Sequence, residues 1–181
     1  NIYVYDLFNL YTYENQLYVL RLTGQEIKQY LDYSYALWTQ TMHNPADHLM
    51  RMEQGSDGHW SWQNLAFNFD TVAGIDYEVD VRQPIGQKIN ILRLSNGAPF
   101  MLNQSYRVAM NSYRGNGGGE LLTRGAGIPF EELPQRILWV SRKDQRQIIM
   151  DYIQSNGTIA PEPHNNWHFV PIAWAEPALA I

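Results

Sequence analysis

The sequence predicts an α+β domain in which helices pack on a mixed or antiparallel sheet, and three observations carry that prediction. Short runs of alternating apolar residues, separated by turn signals, recur from Phe67 to Tyr113. Two segments, opening at Thr23 and at Ser141, combine capping residues with apolar residues at helical spacing. Strands and helices do not follow one another in the regular βαβ alternation of a parallel sheet. At 181 residues the chain has the length of one domain with a substantial core.

Taken in order, the opening NIYVYDLFNLYTY reads as structured, aromatic chain, and Leu17-Tyr18-Val19-Leu20-Arg21-Leu22 is β-rich. Thr23 with Glu26 three residues on is a capping box; Ile27, Tyr30, Leu31, Leu37 and Trp38 then supply the inward face of a helix from Thr23 to about Trp38. From Met42 to Gln63 there is no clear period, which predicts a long loop. Phe67, Phe69 and Thr71, then Tyr77, Val79 and Val81, alternate with polar neighbours on either side of Ala73-Gly74, predicting two strands around a turn. Ile89, Ile91 and Leu94 predict another strand, closed by Asn96-Gly97, a dipeptide that tolerates positive φ. Tyr106, Val108 and Met110 predict the next, which runs into Asn111-Ser112-Tyr113-Arg114-Gly115-Asn116-Gly117-Gly118-Gly119. A final helix is predicted to about Ser155, with Ser141 and Asp144 as its capping pair. Ile148, Ile149, Tyr152 and Ile153 form its apolar face and Gly157 stops it. The Pro-rich stretch from Pro161 to Pro177 predicts an irregular tail holding Trp167 and Phe169 against the body.

Composition narrows the function. Thirteen Lys and Arg against eighteen Asp and Glu give a formal charge of -5, the wrong sign for tracking a nucleic-acid backbone. No apolar run approaches the roughly 18 residues of a membrane span, and the absence of cysteine excludes disulfides, zinc-thiolate sites and a thiol nucleophile. The first residue is Asn1, so the expectation is a piece of a longer protein. Twelve tyrosines are many for a core alone, because buried phenols need partners, and they point to a binding surface.

Among the motifs, the glycine-rich stretch after Met110 is the most informative. Glycines bring backbone N–H groups close to a ligand, but this stretch is neither GxxxxGK[ST] nor GxGxxG. Tyr113 and Arg114 stand on its shoulder, where an aromatic ring can stack on a flat ligand. The five histidines (43, 48, 59, 164 and 168) do not have the spacing of a helical zinc site, and His164 and His168 follow Pro163 in a stretch that does not read as helix. There is no GxSxG elbow, and Glu131-Glu132 read as solvated charge near a helix start. As an enzyme on its own the chain is poorly equipped; a free-standing binding module using Trp60, Trp62 and nearby tyrosines, for instance for sugars, is the alternative reading.

FDTVAGIDYEVDV, the Asn96-Gly97 turn, SYRVAM and above all NSYRGNGGGELL resemble the C-terminal domain of the 5'-nucleotidase family. YTYENQLYVLRLTGQEIKQYLDYS resembles its 2',3'-cyclic-nucleotide 2'-phosphodiesterase/3'-nucleotidase branch, and the resemblance runs from about Ile2 to Gly157. It implies a two-domain hydrolase. An N-terminal metallophosphoesterase domain, outside this chain, would hold two divalent metal ions and the catalytic ligands, and residues 1–181 would form a single nucleotide-binding domain without metal or catalytic residues. The fragment alone is then expected to be inactive, and a periplasmic or secreted location is implied.

The resemblance also implies a site. A nucleoside would be presented between two aromatic rings, one just before the strand that leads into the Leu-x-Gly helix start and one after the Asn that heads the glycine-rich loop. These positions are Tyr13 and Tyr113. Mononucleotidase relatives typically carry Phe at both, so the two tyrosines favour the cyclic-nucleotide branch. Asn111, Arg114, Asn116, Gly117, Gly118 and Gly119 complete the expected substrate-binding set. An acid that relatives often place late in this loop is replaced here by Gly119, with Glu120 after it.

Overall fold

The computed structural model describes residues 1–179. In chain order it places α1 (Val4–Leu10), β1 (Gln16–Thr23), α2 (Gly24–Trp38), β2 (Met52–Gln54), β3 (Trp60–Trp62), β4 (Ile75–Asp80), β5 (Ile89–Leu94) and β6 (Ser105–Asn111). There follow α3 (Ser112–Gly115), α4 (Leu133–Arg136), β7 (Ile137–Asp144), α5 (Gln145–Asn156), β8 (Trp167–Val170) and α6 (Ile172–Leu179). The α+β class is as expected, with one antiparallel sheet in the order β6-β1-β7, one mixed sheet in the order β5-β4-β8 and a small β2-β3 hairpin.

Helix α2 joins the two larger sheets into one core. The Thr23 side chain accepts from the Glu26 N–H and the Glu26 carboxylate accepts from the Thr23 N–H, the reciprocal capping read from the sequence. The next two amides, of Gly24 and Gln25, donate to the carbonyls of Gln104 and Leu102. That close approach requires glycine at 24, since a Cβ would collide with the Met101 carbonyl. Ile27, Leu31 and Tyr35 of α2 are buried with Leu20 and Leu22 of the first sheet and Tyr77, Val79 and Ile89 of the second. Asp32, also buried, accepts from the Ile89 amide at 2.9 Å and from Lys28 at 2.6 Å, which ties α2 to β5.

Four readings are corrected. The stretch from Met42 to Gln63 is not all loop, because Met52–Gln54 and Trp60–Trp62 pair around a turn. Phe67, Phe69 and Thr71 do not form a strand: Ala66–Asn68 is a 3-10 turn and the chain beyond is irregular. Its backbone groups are claimed by side chains rather than a ladder, with the Phe67 carbonyl bonded by Arg114 and both backbone groups of Asp70 bonded by Ser34 Oγ. The last helix starts at Gln145, not at Ser141. Asp144 alone is its N-cap, accepting from the Gln147 N–H at 2.9 Å, while Ser141 lies in β7 and its Oγ accepts from the Leu17 amide. The same correction covers Tyr152, read as part of that helix's apolar face but exposed.

The Pro-rich end is the fourth correction. It contains β8, paired parallel to β4 with Val79 opposite Phe169, and then α6. Trp167 and Phe169 do pack on the body, edge-on around Tyr35 at 5.4 and 6.1 Å between ring centroids. Ala175 and Ala178 of α6 bury against Met42, Leu49 and Val81.

Candidate nucleoside-binding cleft

The antiparallel register of β1 with β6 sets Leu17 opposite Asn111, and so brings the chain just before β1 beside the chain just after β6. The Gln16 amide donates to Ser112 Oγ across this junction at 3.1 Å. Two segments about a hundred residues apart in sequence thereby line one cleft of about 440 Å³. Tyr11, Tyr13, Glu14 and Asn15 form one wall, Asn111, Tyr113 and Arg114 another, and Phe67 with Asp70 close it. That volume suits a small ligand, and the lining mixes aromatic faces with a few polar groups, as ligand clefts do.

Tyr13 and Tyr113 are 61 % and 41 % exposed, so neither ring is a core residue. The Tyr113 ring rests on Gly118, where a Cβ would come within 2.5 Å of Cε2, and the Arg114 guanidinium carbon lies 5.3 Å from its centroid. Phe67 meets Tyr113 edge-on at 6.5 Å, and Tyr11 meets Tyr13 in the same way at 6.5 Å.

Asn111 ends β6 and caps α3, its Oδ1 accepting from the Arg114 amide at 2.8 Å. Arg114 is buried, and all five of its guanidinium N–H donors are engaged within the protein. Nε and Nη2 hold the two oxygens of Asp70 at 2.8 and 2.9 Å; the others reach Asn68 Oδ1, the Gly118 carbonyl and the Phe67 carbonyl. Burial disfavours its charge, but the hydrogen bonds and charge of Asp70 outweigh this and leave its pKa raised. The Tyr30 hydroxyl donates to the same carboxylate; burial first, then the charge of Asp70, raise its pKa, so it remains a donor.

Of the residues singled out in the sequence, Tyr13, Asn111, Tyr113 and Arg114 come together at the cleft, while Asn116, Gly117, Gly118 and Gly119 do not line it. Asn116 is the C-cap of α3. Gly117 and Gly119 have φ of 91° and 72°, and a Cβ on Gly119 would collide with Arg114 and Asn68. The glycines thus let the chain fold back under Tyr113 and Arg114. Glu120 points away into an exposed pair with Arg124.

Tyr11, Glu14, Asn15, Phe67 and Asp70 were not singled out by sequence. Asp70 left a trace, a lone acid within the apolar FNFDTV, which implies a buried basic partner. Phe67 was hidden by its apparent strand alternation. The five histidines are exposed and dispersed, and among the described residues no group of three or more His, Cys, Asp or Glu is placed to hold a metal ion. No helix among them is long and apolar enough to cross a membrane.

Residues 1–124 match the family model described as "5'-nucleotidase, C-terminal domain". The chain is 33% identical over 177 residues to the trifunctional nucleotide phosphoesterase protein YfkN of Bacillus subtilis, a match covering 91% of this chain and 11% of that protein. It is 30% identical over 182 residues to the 2',3'-cyclic-nucleotide 2'-phosphodiesterase/3'-nucleotidase of Salmonella typhimurium, covering 91% of this chain and 25% of the relative. Its fold is similar to that of a 5'-nucleotidase precursor from Thermus thermophilus, with a TM-score of 0.64 at 20% identity over 94% of this chain and 28% of that one. The chain therefore spans between about a tenth and a quarter of the length of the relatives it matches. It belongs to the 5'-nucleotidase C-terminal domain family.

Proposed function

We propose that this chain is the substrate-binding domain of a nucleotide hydrolase of the 2',3'-cyclic-nucleotide 2'-phosphodiesterase/3'-nucleotidase or 5'-nucleotidase type, holding the nucleobase between Tyr13 and Tyr113. The observation that carries this reading is their shared placement: both rings, exposed, line one cleft beside Asn111. Two aromatic faces select flatness and tolerate any base. Base binding does not lower the barrier to ester cleavage, but it positions the phosphate ester, and positioning is a large part of what such a hydrolase needs. In such an enzyme, periplasmic or secreted, the ester would lie at two divalent metal ions held by a metallophosphoesterase domain outside this chain. Among the described residues no group of three or more His, Cys, Asp or Glu is placed to hold those ions.

Titration of the protein's fluorescence with adenosine and 3'-AMP tests it. Saturable quenching is expected, and Tyr13→Ala or Tyr113→Ala should each weaken binding by roughly 1–3 kcal/mol with the fold intact. Quenching by oligosaccharides but not by nucleosides would favour an aromatic sugar platform at Trp60 instead. Trp62 supports that alternative less, since its ring packs on Trp38 at 4.4 Å. This chain by itself is expected to hydrolyse neither 3'-AMP nor 2',3'-cyclic AMP, and robust turnover with added Mn²⁺ would overturn that assignment of roles.

A further inference from the structure

The Tyr11 hydroxyl receives two hydrogen bonds in the wall of the cleft, from Asn15 Nδ2 at 2.8 Å and from Asn111 Nδ2 at 3.2 Å. At Asn111 the polarity is set by a backbone donor, which cannot reverse, and at Asn15 by the Ser112 hydroxyl. The Arg114 N–H donates to Asn111 Oδ1 at 2.8 Å, so the Asn111 amide must turn its NH₂ toward Tyr11. The Gln16 N–H donates to Ser112 Oγ, and the Ser112 hydroxyl donates to Asn15 Oδ1 at 3.1 Å, which leaves the Asn15 NH₂ facing Tyr11. A phenol oxygen supplied by two N–H donors keeps its own proton for a third partner. Among the described residues, none accepts it.

We propose that Tyr11 is a specificity-determining residue of this cleft, its O–H donating to an acceptor on the edge of the bound nucleobase, either an unprotonated ring nitrogen or a carbonyl oxygen. The inference rests on the reading of the cleft as a nucleoside site and adds a requirement that stacking cannot make. Stacking sees a π-face; a fixed donor sees where the ring carries a lone pair. Tyr11 stands at 79° to Tyr13, so it is not a parallel extension of that stacking surface, and its hydroxyl is the group it offers. The two asparagines and Ser112 are positioning residues for that proton.

The test is direct binding of adenosine and its 1-deaza, 3-deaza and 7-deaza analogues, each lacking one ring acceptor, to the unaltered protein and to Tyr11→Phe and Tyr113→Ala. On the unaltered protein, one analogue is expected to bind roughly three- to tenfold more weakly than adenosine, the cost of one neutral hydrogen bond. Tyr11→Phe is expected to weaken adenosine by a similar factor and to bind adenosine and that analogue alike. The proposal is overturned if all three analogues bind the unaltered protein as adenosine does, a result that needs no variant to fold. It is overturned equally if Tyr11→Phe retains the discrimination. Weakened binding by Tyr113→Ala beside an unchanged Tyr11→Phe removes the donor while leaving the stacking site standing; adenosine binding unaffected by either variant removes both.

Discussion

Arg114 shows how much of the cleft rests on one side chain that has no donor left for a ligand. Its five N–H groups join the end of α3, the turn at Gly118 and the segment from Phe67 to Asp70, and its charge lies near the ring of Tyr113. Removing one partner of a buried pair leaves the other uncompensated, which typically costs about 3–5 kcal/mol. The Asp70 side chain is 25% exposed, and water would partly repair the loss. Arg114→Met should therefore destabilise the protein by roughly 2–3 kcal/mol, read as a lower urea midpoint at unchanged slope. On the proposed function it should also loosen nucleoside binding, because Phe67 and Tyr113 lose their shared support. A variant as stable as the unaltered protein would show that the network does not bear on the fold. The sequence placed Arg114 beside Tyr113, but its partners from Phe67 to Asp70 lie about 45 positions away, where Asp70 alone left a trace.

At the scale of elements, the boundary between β7 and α5 separates what capping rules can decide from what they cannot. Both Ser141 and Asp144 are good N-cap residues, and sequence alone permits the helix to start at either. Pairing of β7 with β1 draws residues up to Asp144 into the sheet, where Gln16 faces Asp144, and the cap passes to the aspartate. Asp144→Ala should cost about 1 kcal/mol and speed hydrogen exchange at the Gln147 amide. Ser141→Ala should leave that amide protected, since its hydroxyl serves the Leu17 amide instead. Equal exchange in both variants would contradict the observed cap. Phe67 to Thr71 teaches the same lesson from the other side. Its alternation is real, yet Arg114 and Ser34 take the backbone groups that a strand needs.

For the molecule as a whole, Lys88 links pH to stability. Only 1% exposed, it donates to the Gln40 carbonyl at 2.6 Å and so fastens the segment carrying Met42 and Leu49 to the second sheet. Burial above all, then the nearby Arg51, pull its pKa down to about 8 from 10.5, against the opposing charges of Asp80 and Asp32. Between those two values the unfolded chain binds more protons than the folded one, so stability rises with pH through that window. Below it the charged lysine carries its full burial cost. The Tm of the unaltered protein, measured relative to Lys88→Met, should climb from pH 8 toward pH 10.5; a constant difference would show that Lys88 keeps its ordinary affinity for protons.

The features legible in the sequence are local: the capping box of α2, the strands that alternate at Tyr77, Ile89 and Tyr106, the Gly97 turn and the Gly157 stop. Each depends on residues within a few positions of one another, where spacing and φ preference suffice. Its ordered motifs also identified the family and pointed to Tyr13 and Tyr113. Long-range packing alone sets Phe67 and Asp70 at the cleft, makes Trp167 to Val170 a sheet strand and leaves the Tyr11 hydroxyl with a proton to give. These outcomes depend on which distant group claims each backbone carbonyl, amide and hydroxyl. That is settled by the pairing of β1 with β6 and β4 with β8, whose partners lie roughly ninety residues apart.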